Sequence, residues 1–249
     1  MAHFLPALTF HSLDKKSSDT SFTPELFDLL LQNTVKSGYT KIYLDKLITC
    51  LDSKKEFPDK SLLITFDDGC HSIFEHAFPV LQRLNMTGII FLTVNYTKSK
   101  ALSGRLPSIE GRTMLTWSQI KEMHKYGVEF GAHTLTHPDL TKLPYRKIEE
   151  EVLTSKSIIE ESLGTKVVCF AYPFGKTNDA TREIVRGNFS CAFTDHLGLI
   201  TTNSPRHALN RIDAYYLRSK RLCNILPSSL FPWYIKALSV PRKLKSMFS

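Results

Sequence analysis

The sequence predicts an α/β domain organised on a parallel sheet or barrel, and three observations carry that prediction. Short apolar runs of strand length alternate with helix-like segments along most of the chain. The runs are nearly continuous in apolar residues, as in strands covered by helices. Polar motifs fall at the same end of successive runs, which is where parallel architectures assemble their sites. With 249 residues and 42% hydrophobic content, one such domain buries a full core.

Residues 5 to 13 read as the first strand. Thr23-Pro24-Glu25 then opens a helix, with Thr23 as N-cap, Pro24 at the first helical position and Leu26, Leu29, Leu30 and Val35 on the apolar face; Gly38 ends it. Residues 62 to 66 form the next strand, and residues 88 to 94, 128 to 132, 167 to 172 and 190 to 194 read the same way. Helix-like segments separate them at 71 to 84, 117 to 126, 144 to 163 and 178 to 187. Residues 98 to 112, rich in Gly, Ser and Pro, read as a mobile loop, and no internal repeat is visible.

Cys50, Cys70, Cys169, Cys191 and Cys223 are odd in number, far apart and form no CxxC, so reduced thiols are expected rather than a disulfide framework or a thiolate zinc site. No stretch approaches the ~20 apolar residues of a membrane span. The opening Met1-Ala2-His3-Phe4-Leu5-Pro6 lacks the basic and apolar regions of a signal peptide, and a cytoplasmic protein is expected. The net charge of +8 is unevenly placed: residues 203 to 249 hold nine Lys and Arg against the single acid Asp213, and the remainder is balanced. Residues 227 to 235 put Leu230, Phe231, Trp233 and Tyr234 inside that basic stretch. This pattern resembles an interfacial membrane contact; the alternative is a solvated basic tail whose aromatics pack on the domain. The expected division is a catalytic domain over 1 to 222 and a basic, aromatic tail over 223 to 249.

Asp67-Asp68-Gly69 closes the run 62 to 66, and His133-Thr134-Leu135-Thr136-His137 follows about 65 residues later. Two adjacent carboxylates at the end of a buried strand repel each other and lose solvation, unless a cation or a reaction needs them. One carboxylate and two imidazoles would hold a divalent cation with open positions and so ionise water near neutral pH. Zinc fits this donor set best, with iron, cobalt, manganese or nickel as competitors. The other aspartate could then take the proton. On one helical turn the i, i+4 spacing would put both imidazoles on one face. Each motif alone has a plainer explanation, a capped turn for the aspartates and surface side chains for the histidines. Their combination, with Tyr172-Pro173-Phe174-Gly175 at a third strand end, favours a metal site.

Thr65-Phe66-Asp67-Asp68-Gly69 and His133-Thr134-Leu135-Thr136-His137 resemble, without a gap, the first two motifs of the polysaccharide deacetylase family, carbohydrate esterase family four. Phe170-Ala171-Tyr172-Pro173-Phe174-Gly175 is similar to the third motif as found in the biofilm and envelope subgroup. Thr9-Phe10-His11-Ser12 and Arg211-Ile212 sit where that subgroup carries an aromatic-His pair and an Arg, so the resemblance spans about residues 5 to 215. It implies a distorted (β/α) barrel of about seven parallel strands and metal-dependent hydrolysis of an N-acetyl group from an amino sugar. Asp67 would be the general base and Asp68, His133 and His137 the metal ligands. A backbone N–H near Tyr172, Pro173 and Phe174 would hold the oxyanion.

Two departures from the family pattern matter. Ala171 stands where many members place an Arg that contacts the base, and Arg211 is the candidate to replace it. No late Leu-x-His triplet supplies the general acid, so His207, His196 and His11 are the candidates, with His207 and His11 preferred. The expected substrate is a saccharide carrying an N-acetyl amino sugar, with a lipid-linked envelope precursor as the finer reading. A saccharide-binding scaffold without turnover is the alternative, as are deformylation and O-deacetylation at the same metal. The basic excess lacks a recognisable nucleic-acid-binding fold, so no nucleic-acid partner is expected.

Overall fold

Seven parallel strands close on themselves in chain order: β1 (Ala7–Phe10), β2 (Ser61–Phe66), β3 (Ile89–Leu92), β4 (Glu129–Ala132), β5 (Cys169–Ala171), β6 (Cys191–Leu197) and β7 (Leu209–Asp213). Each pairs with the next, and β7 returns to β1 through Ile212 opposite Leu8 and Asp213 opposite Thr9. The expected α/β barrel of seven parallel strands is therefore present in this computed structural model. It describes residues 4–15, 20–94, 104–106, 108–109 and 111–247, with side chains to residue 239. Most of the loop expected over 98 to 112 lies outside the described residues, as do the first three residues of the chain.

The period of two along a strand sorts the core into two sets. Ala7, Leu63, Ile89, Phe91, Cys169, Cys191, Phe193 and Leu209 pack together inside the barrel. Their neighbours Leu8, Ile64, Phe66, Ile90, Phe130, Phe170 and Ile212 face outward beneath the helices. Gly131 is required inside: a Cβ there would lie 2.5 Å from the Phe91 ring and 2.7 Å from the Cys169 sulfur. All five cysteines are buried and free, as expected.

The surrounding helices are α1 (Pro24–Lys36), α2 (Leu44–Ser53), α3 (Phe78–Arg83), α4 (Trp117–Lys125), α5 (Tyr145–Leu163), α6 (Asp179–Asn188) and α7 (Phe231–Met247). Thr23 caps α1 by accepting from the Leu26 N–H, and Pro24 occupies its first turn. Thr116 with Gln119, and Asn178 with Thr181, form reciprocal capping boxes on α4 and α6.

Four sequence expectations differ from the fold. Residues 5 to 13 form one barrel strand flanked by the short pieces Phe4–Leu5 and Ser12–Leu13, because Pro6 supplies no N–H to a continuous ladder. Residues 71 to 84 divide into a π-helical turn, Ile73–Ala77, and α3, since Pro79 cannot continue the preceding hydrogen-bond pattern. Strand Thr40–Lys41 and α2 were not anticipated; Leu44, Leu47 and Leu51 of α2 join the interior core set. The segment expected as a tail from residue 223 packs on the barrel at its start, where Cys223, Leu226, Phe231 and Ile235 are buried.

Candidate active site

The inward set continues with polar residues at or just past the C-terminal ends of the strands. Thr9 leads to His11, Thr65 to Asp67, Gly131 to His133, Phe193 to Asp195 and Leu209 to Arg211. Strand parity thus delivers these side chains to one cavity of about 260 Å³, which they line together with Asp68, His137 and Phe174.

Asp67 extends the β1–β2 ladder, its N–H donating to the Phe10 carbonyl at 2.9 Å. Asp68 and Gly69 then adopt left-handed conformations, with φ of 69° and 88°, and turn the chain sharply. Adjacent carboxylates consequently serve different neighbours. Arg211 donates from Nη1 and Nη2 to the two Asp67 oxygens at 2.6 and 2.7 Å. Its Nε donates to the Thr194 carbonyl at 2.9 Å, and its guanidinium lies 5.7 Å from the Phe91 ring centroid. Burial by itself would raise the Asp67 pKa; the charge of Arg211, followed by His133, outweighs it and holds the carboxyl well below the usual range.

Asp68 faces the histidines. Its Oδ1 is 3.7 Å from His133 Nε2 and 3.5 Å from His137 Nε2. These three donor atoms form the one metal-capable cluster among the described residues. The same Oδ1 is buried without a hydrogen-bond partner, a costly arrangement for a carboxylate that a cation would relieve. His133 Nδ1 donates to the Ala171 carbonyl at 2.7 Å, which leaves Nε2 as the lone-pair nitrogen facing Asp68. Burial lowers the His133 pKa to about 4, so the ring is neutral and fit for ligation at neutral pH. The donor set fits a divalent cation.

The histidines do not share a helical turn, as the spacing suggested. They belong to a loop after β4, in which Thr134 and His137 have φ of 71° and 60°. Two contacts hold this loop. The Thr134 hydroxyl accepts from the His137 N–H at 3.0 Å. Glu151 of α5 accepts from the Leu135 and Thr136 N–H groups at 2.9 and 2.8 Å and from the Thr136 hydroxyl at 2.6 Å.

His11 Nε2 lies 3.9 Å from Asp67 Oδ2 on the cavity wall. His207 is corrected: it does not line the cavity, and its Nε2 contacts the Phe189 carbonyl at 2.9 Å. His196 likewise turns to the Thr194 hydroxyl, at 3.1 Å. Cys70, beside the motif, is outside the metal cluster, and burial pushes its thiol up to about 12.

Tyr172 is fully buried, its hydroxyl donating to the His207 carbonyl at 3.2 Å. Its N–H is engaged by the Phe193 carbonyl at 3.0 Å, and Pro173 has none. Phe174 is therefore the residue of the three whose N–H can face an oxyanion. It has φ of 57°, is half exposed, and its ring lies 4.8 Å from that of His137. Gly175 permits this turn, because a Cβ would collide with the Asp195 carboxylate. Asp195 and Arg112, which also line the cavity, and the loop-holding Glu151 were missed by sequence reasoning; strand parity could have found Asp195.

The polysaccharide deacetylase family model matches residues 54–188. The Bacillus subtilis protein YxkH is 26% identical over 209 residues, 84% of this chain and 70% of the relative. The poly-β-1,6-N-acetyl-D-glucosamine N-deacetylase of Staphylococcus aureus strain MRSA252 is 24% identical over 213 residues, 82% of this chain and 71% of the relative. Among solved structures, the Streptococcus pyogenes deacetylase PplD, in complex with acetate, superposes with a TM-score of 0.79 at 26% identity, covering 90% of this chain and 96% of that one. IcaB from Ammonifex degensii gives 0.75 at 26% identity, covering 90% and 98%.

Proposed function

This chain belongs to the polysaccharide deacetylase family, and from that premise we propose that it hydrolyses the N-acetyl group of an amino sugar within a saccharide, using a divalent cation held by Asp68, His133 and His137. The observation that carries the reading is the pairing of an arginine-held Asp67 with an adjacent three-residue ligand set in one cavity. When bound, the cation supplies Lewis acidity toward the amide carbonyl and toward water. Zinc suits the one-carboxylate, two-imidazole set best, and cobalt, nickel, manganese or iron would compete.

The protein's own groups perform the proton transfers. Arg211 keeps Asp67 ionised and aimed into the cavity, and each Asp67 oxygen retains a second lone pair with which to accept a proton from the attacking water. The Phe174 N–H stabilises the negative charge that develops on the carbonyl oxygen. His11 donates a proton to the departing nitrogen as the C–N bond breaks, releasing acetate and a free amine. His11 thereby takes the place of the absent Leu-x-His triplet in this reading, and the Arg211 fork on Asp67 supports turnover over a scaffold without it.

An N-acetylated amino sugar is supported by the named activity of the Staphylococcus aureus relative and by the acetate in the PplD structure. A lipid-linked glycan precursor is the finer proposal, supported by the basic stretch after residue 202. The test is acetate release from N-acetylglucosamine oligosaccharides, with metal content measured by mass spectrometry. Activity in the wild type and its loss in Asp67→Asn with metal retained are expected. A metal-loaded wild type that releases no acetate from N-acetyl, N-formyl or O-acetyl saccharides would overturn the reading.

A further inference from the structure

The C-terminal segment carries exposed apolar side chains that the reaction does not use. Leu230 is 65% and Trp233 69% exposed, and Tyr215 is 51% exposed. Leu230, just before α7, and Trp233 and Ala237 on it follow the i, i+3, i+7 spacing of one stripe, and Ala237 is exposed as well. The opposite stripe, Phe231, Tyr234, Ile235 and Leu238, packs on the core. The outward apolar stripe is therefore not needed to hold the helix in place.

Bases accompany these side chains. Lys236 lies 5.6 Å from the Trp233 ring centroid and Arg218 4.5 Å from that of Tyr215. Lys220, Arg221 and Lys236 are exposed, and the helix continues through Arg242, Lys243 and Lys245. Residues 214 to 249 contain no acid. Apolar and aromatic groups interleaved with cations match the boundary of an anionic bilayer, where Trp and Tyr place rings at headgroup depth and bases meet lipid phosphates.

The segment also adjoins the cavity. Asp213 lines the cavity wall, and its carboxylate accepts from the Tyr215 N–H at 2.8 Å. The next residue is tied to α7, whose Tyr234 hydroxyl donates to the Tyr216 carbonyl at 2.7 Å. Two hydrogen bonds thus link the wall of the cavity to the helix bearing Trp233. At 17 residues, α7 would be about 25 Å long. No helix among the described residues is long and apolar enough to cross a membrane.

We propose that the face formed by Leu230, Trp233 and Tyr215 with Lys220, Arg221 and Lys236 is a docking surface for an anionic lipid bilayer, on which the protein lies with its cavity beside the lipid headgroups. The surface stands on exposure and charge and does not depend on which bond the cavity cleaves. An anionic bilayer is favoured over nucleic acid because Leu230 offers no stacking face yet is among the most exposed apolar side chains.

The test is flotation of the full-length protein with phosphatidylcholine vesicles, with and without phosphatidylglycerol. The wild type should float with the anionic vesicles alone and be released by salt. Lys220→Gln/Arg221→Gln/Lys236→Gln should weaken partitioning about 100-fold, at about fivefold per base. Leu230→Ala/Trp233→Ala should weaken it about tenfold or more without altering charge. Deacetylation of a soluble oligosaccharide should be unchanged in both variants, which separates failure of the surface from failure of the site. Absent flotation, or equal flotation by wild type and both variants, would overturn the proposal. So would tight oligonucleotide binding that the triple variant loses, or a dimer that Trp233→Ala dissolves, where no vesicle binding is seen.

Discussion

Arg211 grips both oxygens of Asp67 through parallel hydrogen bonds of 2.6 and 2.7 Å, and both residues are withdrawn from solvent. Removing one member of a buried pair strands the other as an uncompensated charge, at a cost of about 3–5 kcal/mol. Arg211→Ala should therefore lower the melting temperature and let the Asp67 pKa rise with burial, weakening its ionisation at rest. Arg211→Lys keeps the charge but loses the planar fork, so it should retain more stability than the alanine variant yet lose at least about tenfold in kcat. Thermal unfolding and initial rates on both variants check this. Wild-type kinetics in Arg211→Lys would show that charge alone is sufficient.

Glu151 reaches the metal loop without touching the proposed ligands. It collects three hydrogen bonds from Leu135 and Thr136, within a loop whose Thr134 and His137 hold uncommon positive φ values. Such conformations persist when surrounding contacts over-determine them. In Glu151→Gln the negative charge that favours these three donors is lost, and one of the two accepting oxygens becomes an N–H donor. Zinc affinity, measured by chelator competition, should fall about 10–100-fold. His133→Ala, which removes a ligand outright, should abolish stoichiometric binding. Unchanged affinity in Glu151→Gln would restrict this residue to a structural role.

The parts of the site legible in the sequence were those written as strand-ending motifs. Asp67 and Asp68 follow an apolar run that could only be a strand, and period-two counting from Leu63 through Thr65 aims Asp67 inward. Strand β7 was harder, because Asn210, Arg211 and Asp213 interrupt the apolar pattern; only pairing with β1 and β6 reveals it. Glu151 follows Glu149 and Glu150 on α5, and nothing local distinguishes the one that meets the loop. His207 and His11 were equivalent in sequence. The fold separates them, turning one toward Phe189 and the other toward Asp67.

His11 is assigned proton donation to the leaving amine. His11→Gln preserves polarity and approximate size but cannot donate as an acid. Its kcat should fall about 10²–10⁴-fold. Metal content should stay at the wild-type level, since His11 is outside the ligand cluster. A wild-type kcat in His11→Gln would assign the acid elsewhere.

Glu129 predicts a stability effect at the opposite end of the barrel. Its carboxylate accepts from the Leu44 N–H at 3.1 and 3.2 Å at the start of α2. Burial nevertheless raises its pKa from 4.5 to about 7. The folded state therefore binds this proton more tightly than the unfolded chain, so the contribution is fully present below about pH 4.5 and is lost as pH rises through about 7. The full shift corresponds to about 3 kcal/mol. Glu129→Gln replaces the carboxylate with a neutral group that can still accept from Leu44. It should raise the melting temperature relative to wild type at pH 8 and leave a much smaller difference near pH 5. Urea titrations across that interval measure the dependence directly: the wild-type curve should descend with pH more steeply than that of the variant, whereas parallel curves would mean that Glu129 is ionised in the fold without cost.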